Sequence, residues 1–224
     1  MKDVLVLAHG AFHGPWCWDL LCDRLESRGI RCVAVDLNRG GLEADREALQ
    51  TAVDMARAEG HRVHAIGHSL GCASVQALQP DTLTTAILLA GSAAPGPGIP
   101  SEAALLEGDF LSRLLPQADG RMAIERSHAR DAFYLRCPED LAEWALDRLR
   151  PTFVYGAARS DPPFWEALPV TYVGCSDDAV VSPDYQRTVC ERLRFGTMLD
   201  SDHSPMLGQP DALADVVIEA MARG

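Results

Sequence analysis

Six short apolar runs, separated by stretches of helical periodicity, constrain this chain more than any other feature. The runs occupy residues 4–8, 32–36, 63–67, 85–91, 170–174 and 196–199. Residues 16–28, 45–59, 70–79, 183–192 and 210–222 carry the spacing of amphipathic helices. Several runs are continuously apolar, as strands are when both their faces are buried. The alternation predicts an α/β fold, a mostly parallel sheet of about six strands with helices on both faces. At 224 residues one core suffices, so residues 1–224 read as a single domain.

After the fourth run the alternation stops. Residues 92 to about 168 begin SAAPGPGIPSE and continue with helical patterns rich in apolar bulk: Phe110, Leu114, Phe133, Tyr134, Trp144, Phe153, Phe164 and Trp165. An insertion of this length between two sheet strands predicts a helical cap. Each of those side chains either packs the cap onto the sheet or lines a pocket beneath it. The cap's cations, Arg113, Arg121, Arg126, Arg130 and Arg136, are expected mostly on solvated helix faces.

Charge narrows the function classes. With 20 basic and 32 acidic residues the formal charge is −12, which repels a phosphate backbone, so nucleic acid is not expected as a partner. The N-terminal stretch MKDVLVLAHG reads as the first core strand and not as a signal peptide, and no segment has the length of a membrane span. The seven cysteines are odd in number and show no CxxC pair, which argues against a disulfide framework or a zinc site and for a reducing cytoplasm. His9 and His13 are four apart, but in a glycine-rich loop, so metal binding is not expected.

The pentapeptide GHSLG, residues 67–71, lies between a strand and a helix. That context is the nucleophile elbow, a sharp turn that lifts a serine hydroxyl above the sheet edge. Ser69 then sits at a helix N-terminus, where the Leu70 amide is free to bond an oxyanion. A serine needs a base. Acid and base follow the serine in this topology, which excludes His9, His13, His61, His64 and His68. His128 falls inside the cap. His203, in LDSDHSPMLGQP, is left as the base, while His68 supports the elbow. The loop GCSDDAVVSP offers Asp178 as the orienting acid, by its spacing to VVSP, with Asp177 as the alternative. HGAFHG after the first strand places the Ala11 amide as second oxyanion donor, beside Gly10.

The stretches AHGAFHGPWCWDLL, GHSLG, FYLRCPEDLAEWALDRLRP and DHSPMLGQPDAL resemble the α/β-hydrolase family that contains plant methylesterases and hydroxynitrile lyases, with bacterial esterase relatives. The similarity spans nearly the whole chain and is weakest over residues 92–128. It implies a triad of Ser69, Asp178 and His203 and oxyanion amides at Ala11 and Leu70. The plant lyases carry a lysine directly after the histidine, where this chain has Ser204, and a threonine where it has Gly10. Both departures favour an esterase.

The expected activity is hydrolysis of a small-molecule ester with an apolar or aromatic part, such as a methyl ester of a hormone-like or secondary-metabolite acid. An acyl-enzyme forms on Ser69, and no metal or organic cofactor is required. The alternative is a lyase or cyclase of secondary metabolism on the same fold. The sequence leaves the oligomeric state open, with a homodimer as the assembly considered.

Overall fold

All six apolar runs become strands of one sheet, fully buried in its middle and only partly buried at its two edges. The computed structural model describes residues 2–156 and 162–224. Strands β1 (Asp3–Ala8), β2 (Arg31–Val35), β3 (Arg62–His68) and β4 (Thr85–Leu89) precede the insertion. Two-residue strands β5 (Leu115–Pro116) and β6 (Met122–Ala123) lie within it, and β7 (Val170–Cys175) and β8 (Phe195–Leu199) follow. The main sheet has the order β2-β1-β3-β4-β7-β8, with every neighbouring pair parallel. Interior strands β4 and β7 are buried along their whole length, which fits their largely apolar sequences.

Register fixes where the loops emerge. Ala8 stands level with Val35 and with Gly67, and His68 level with Leu89. The loops that follow β1, β3 and β4 therefore share the carboxyl edge of the sheet, where open α/β sheets place their sites.

Helix α1 (Asp19–Glu26) packs against α9 (Pro210–Met221), and α2 (Leu42–Ala58) packs against α3 (Gly71–Gln76). Between α3 and α9 come α4 (Arg126–Phe133), α5 (Glu139–Leu146), α6 (Phe164–Ala167), α7 (Pro183–Arg192) and α8 (Pro205–Gly208). The helix expected over 16–28 is split. Residues Pro15–Trp18 form a tight 3₁₀ turn, with Cys17 N–H bonded to the Gly14 carbonyl, before α1 begins. Gly29 at φ +83° then ends the run, and Ile30 N–H caps the Leu25 carbonyl.

The inserted segment between β4 and β7 carries α4, α5 and α6, and also the hairpin β5–β6, which helical periodicity does not reveal. Its turn is built on Gly120 at φ +85°, with Gln117 N–H bonded to the Arg121 carbonyl. Strands of two residues are too short to show alternation. Residues 157–161 of the insertion lie outside the described residues. Among the described residues, no helix is long and apolar enough to cross a membrane.

Candidate active site

At the end of β3 the chain turns through Ser69 with φ +52°. For a residue with a side chain, this conformation costs on the order of 1–3 kcal/mol and persists only where the surroundings over-determine it. Here they do. Ser69 N–H donates to the Leu89 carbonyl at 2.9 Å, and the Ser69 carbonyl accepts from Cys72 N–H at 3.0 Å as α3 begins. The strain falls on the serine and not on its flanking glycines, whose role is close approach. A Cβ on Gly67 would run into the Gly71 backbone, and one on Gly71 into the Ala8 and His9 carbonyls.

The loops after β7 and β8 bring Asp178 to His203. The imidazole Nδ1 lies 2.8 Å from Asp178 Oδ2, and both side chains are almost completely buried. Asp178 Oδ1 accepts from Val180 and Val181 N–H at 2.8 and 2.9 Å, and Oδ2 also accepts from Gln186 Nε2 at 2.9 Å. These donors leave the carboxylate one orientation, so His203 carries its proton on Nδ1 and Nε2 has no hydrogen-bond partner among the described residues. Asp177 takes a different course and pairs with Arg136 at 2.7 Å on the surface. His68 sits beneath His203, with ring centroids 4.6 Å apart and Nε2–H donating to the His203 carbonyl at 2.8 Å. Burial holds the His68 pKa well below the ordinary histidine value, so it serves as a neutral prop. No hydrogen bond joins Ser69 to His203 among the described residues. Nucleophile–base contacts often close only once substrate is bound.

The loop after β1 brings Ala11 up to the elbow. A Cβ on Gly10 would meet His68 Nδ1 and Ser69 Cβ at 3.0 Å, so glycine there permits the approach. Among the described residues the backbone amides of Ala11 and Leu70 donate no hydrogen bond, and both residues line a cavity with Ser69. The two loop histidines do structural work. His9 Nε2 accepts from Leu37 N–H at 3.0 Å. His13 bonds the Ala11 carbonyl through Nδ1 and Tyr134 Oη through Nε2, both at 2.8 Å. Burial drives the His13 pKa down to about 3, so the ring is neutral, donating from Nδ1 and accepting at Nε2. Among the described residues no group of three or more His, Cys, Asp or Glu side chains is arranged to hold a metal.

A model of the alpha/beta hydrolase family matches residues 5–216. The chain belongs to that family. It is similar to methylesterase 2 of Arabidopsis thaliana, 23% identical with 96% of this chain and 94% of that one covered. It is also similar to norfluorocurarine synthase 1 of Strychnos nux-vomica, 25% identical over 96% and 93% of the two chains. A crystal structure of an Arabidopsis methylesterase superposes with a TM-score of 0.80 at 21% identity, covering 99% of this chain and 100% of that one. At that identity the superposition shows the shared fold.

Above Ser69, this alpha/beta hydrolase encloses a cavity of about 380 Å³. Ala11, Ser69 and Leu70 line one side. Leu105, Leu106, Phe110, Leu114 and Phe133 come from the cap, and Val180 and Val181 from the loop that carries Asp178. Of the eight cap side chains singled out from sequence, only Phe110, Leu114 and Phe133 line the cavity. Phe164 is buried elsewhere, Trp165 bonds the Ala94 carbonyl, and Tyr134 serves His13.

The five cap arginines stay out of the lining, and Arg113, Arg126 and Arg136 are exposed as expected, although Arg121 and Arg136 lie on a hairpin turn and a loop, not on a helix. Arg121 pairs with Asp119, Arg126 with Glu143 and Asp147, and Arg136 with Asp177 and Asp200. Arg130 turns back onto the Tyr134 carbonyl. Sequence reasoning missed Gln186 and Thr152, both buried and both bonded to the site or its loop. No spacing signal marks Thr152, because it lies 140 residues from the amide it meets.

Proposed function

We propose that this chain is a serine hydrolase that cleaves a carboxylic ester of an apolar or aromatic small molecule through an acyl-enzyme on Ser69. The observation that carries the reading is the buried Asp178–His203 pair at 2.8 Å, set beside a strained serine that opens into an apolar cavity. In this reading His203 Nε2 takes the Ser69 proton, and the hydroxyl oxygen attacks the ester carbonyl. The Ala11 and Leu70 amides receive the oxyanion. Protonated His203, stabilised by Asp178, gives its proton to the departing alcohol. Water, deprotonated by the same imidazole, then releases the acid and restores Ser69.

Methylesterases among the similar proteins support ester cleavage, and the apolar lining supports a neutral ester. Gly10 supports hydrolysis over cyanohydrin chemistry, since a side chain there would crowd Ser69 Cβ and His68. The similar synthase keeps a second reading in view, a lyase or cyclase in which His203 acts as acid–base and Ser69 only positions the substrate. Intact-mass measurement after a fluorophosphonate separates the two. Hydrolysis through Ser69 requires one adduct that vanishes in Ser69→Ala, together with turnover of an aryl ester. Labelling that survives the substitution, or absence of ester turnover, overturns the proposal.

A further inference from the structure

The peptide that follows Ala11 is held at both ends, by a neighbouring ring on one side and by a group 140 residues away on the other. Its carbonyl, on Ala11, accepts from His13 Nδ1, and its N–H, on Phe12, donates to Thr152 Oγ1 at 2.8 Å. The Phe12 carbonyl in turn accepts from Arg150 N–H at 2.9 Å. Phe12 itself sits at φ +66°, buried, with a full aromatic side chain. That conformation is unfavourable for any residue with a Cβ, so it stands only while its bonds hold it. Released, Phe12 would return to negative φ and rotate the Ala11–Phe12 peptide, carrying the Ala11 amide away from Ser69.

The groups that hold it belong to the insertion. Thr152 and Arg150 lie on its return stretch, and Thr152 also exchanges two backbone hydrogen bonds with Met122 of β6, at 2.8 and 2.9 Å. On the other side Tyr134, at the end of α4, bonds His13 Nε2. Asn38 ties the same stretch to the β2 loop through the Pro151 carbonyl and Phe153 N–H. Thr152 is buried and does not line the cavity, so its hydroxyl acts on the chemistry only through Phe12.

We infer that Thr152 is a positioning residue through which the inserted cap sets the Ala11 amide, so that the oxyanion hole is complete only while residues 150–152 are seated on the loop after β1. The inference rests on the serine-hydrolase reading and adds to it a dependence of transition-state stabilisation on cap seating. Substrate that fills the cavity presses on Phe110, Leu114 and Phe133 of the same insertion. Occupancy and oxyanion geometry are therefore coupled through one segment.

The test compares Thr152→Val, which keeps the shape and removes the acceptor, with Thr152→Ser, which keeps the hydroxyl. With an aryl ester, Thr152→Val should lower kcat by roughly tenfold or more and leave KM within about two-fold, the pattern of an interaction felt in the transition state. It should weaken a trifluoromethyl ketone, whose serine adduct places an oxyanion in the hole, by a similar factor. Binding of the matching methyl ketone should not change, and Thr152→Ser should restore most of kcat. If Thr152→Val does not fold, Tyr134→Phe perturbs the clamp from the His13 side and should show the same split at smaller size. Unchanged kcat in a folded variant, or equal weakening of both ketones, overturns the inference. Wild-type protein that refuses a fluorophosphonate overturns the hydrolase reading and this inference with it, whereas normal labelling with an unaffected Thr152→Val overturns this inference alone.

Discussion

The two walls of the site are built by different means. The sheet-side wall, from the elbow at Ser69 to the loops carrying Asp178 and His203, is held by local geometry. Its glycines, its turn and the four donors on Asp178 come from residues close in sequence or at the ends of adjacent strands. The cap-side wall meets the sheet through bonds between residues more than 110 apart, such as Phe12 with Thr152, His13 with Tyr134 and Asn38 with Pro151. In the proposed mechanism the sheet side supplies the reacting groups, and the cap side supplies much of the pocket lining and the inferred restraint on one oxyanion donor. Damage to the first should therefore appear in the chemistry, and damage to the second in specificity and in oxyanion geometry.

The largest expected effect lies on the sheet side. His203→Ala should reduce turnover by about 10⁴-fold or more, by analogy with measured triads, while circular dichroism stays unchanged. Turnover within tenfold of wild type would remove the imidazole from the mechanism. The two aspartates give a finer contrast within the same loop. Asp178→Asn should cost on the order of 10²-fold or more in kcat, since the amide no longer enforces the histidine tautomer. Asp177→Asn should stay within about three-fold, because an exposed ion pair such as its contact with Arg136 contributes little. The reverse ranking would hand the orienting role to Asp177.

Acid provides a test of both walls together. His9, His13, His64 and His68 all have pKa values lowered by burial, His13 to about 3. Each binds a proton more readily unfolded than folded, so their contribution to stability is complete above the ordinary histidine pKa of about 6.5 and is lost as pH falls below it. For His13 the loss continues down to about pH 3. Urea midpoints should therefore fall steadily from pH 7 to pH 4, and a flat profile would contradict neutral buried imidazoles. The smallest effect belongs to the cap side. Across matched methyl esters, kcat/KM should rise by at most about four-fold per added methylene until the cavity is full, the equivalent of ~0.8 kcal/mol per buried CH₂. A flat series, or preference for charged acyl groups, would deny the apolar pocket its proposed role.

The sheet-side wall was legible in the sequence because its signals are local. A strand reads as an apolar run, an elbow reads as GHSLG, and loops that follow strands emerge at one edge once the strands are parallel. Those grounds point to Ser69, His203, Ala11 and Leu70 as candidates and to the loop that holds Asp177 and Asp178, and register carries these loops to one edge. The choice between Asp177 and Asp178 was not local. It depends on which carboxylate turns inward toward Gln186 and which meets Arg136.

By itself, then, the sequence determined the alternation of strands and helices and the stretches that carry the proposed reacting groups, since short-range periodicity and turn chemistry encode these. Only the tertiary structure decided which three of the eight cap side chains reach the cavity. It also decided that the strain of the loop after β1 rests on Phe12, whose N–H meets a threonine 140 residues away. The physical reason is that a hydrogen bond between distant segments has no period and no spacing. It exists only after the sheet has closed and the insertion has packed back over its edge.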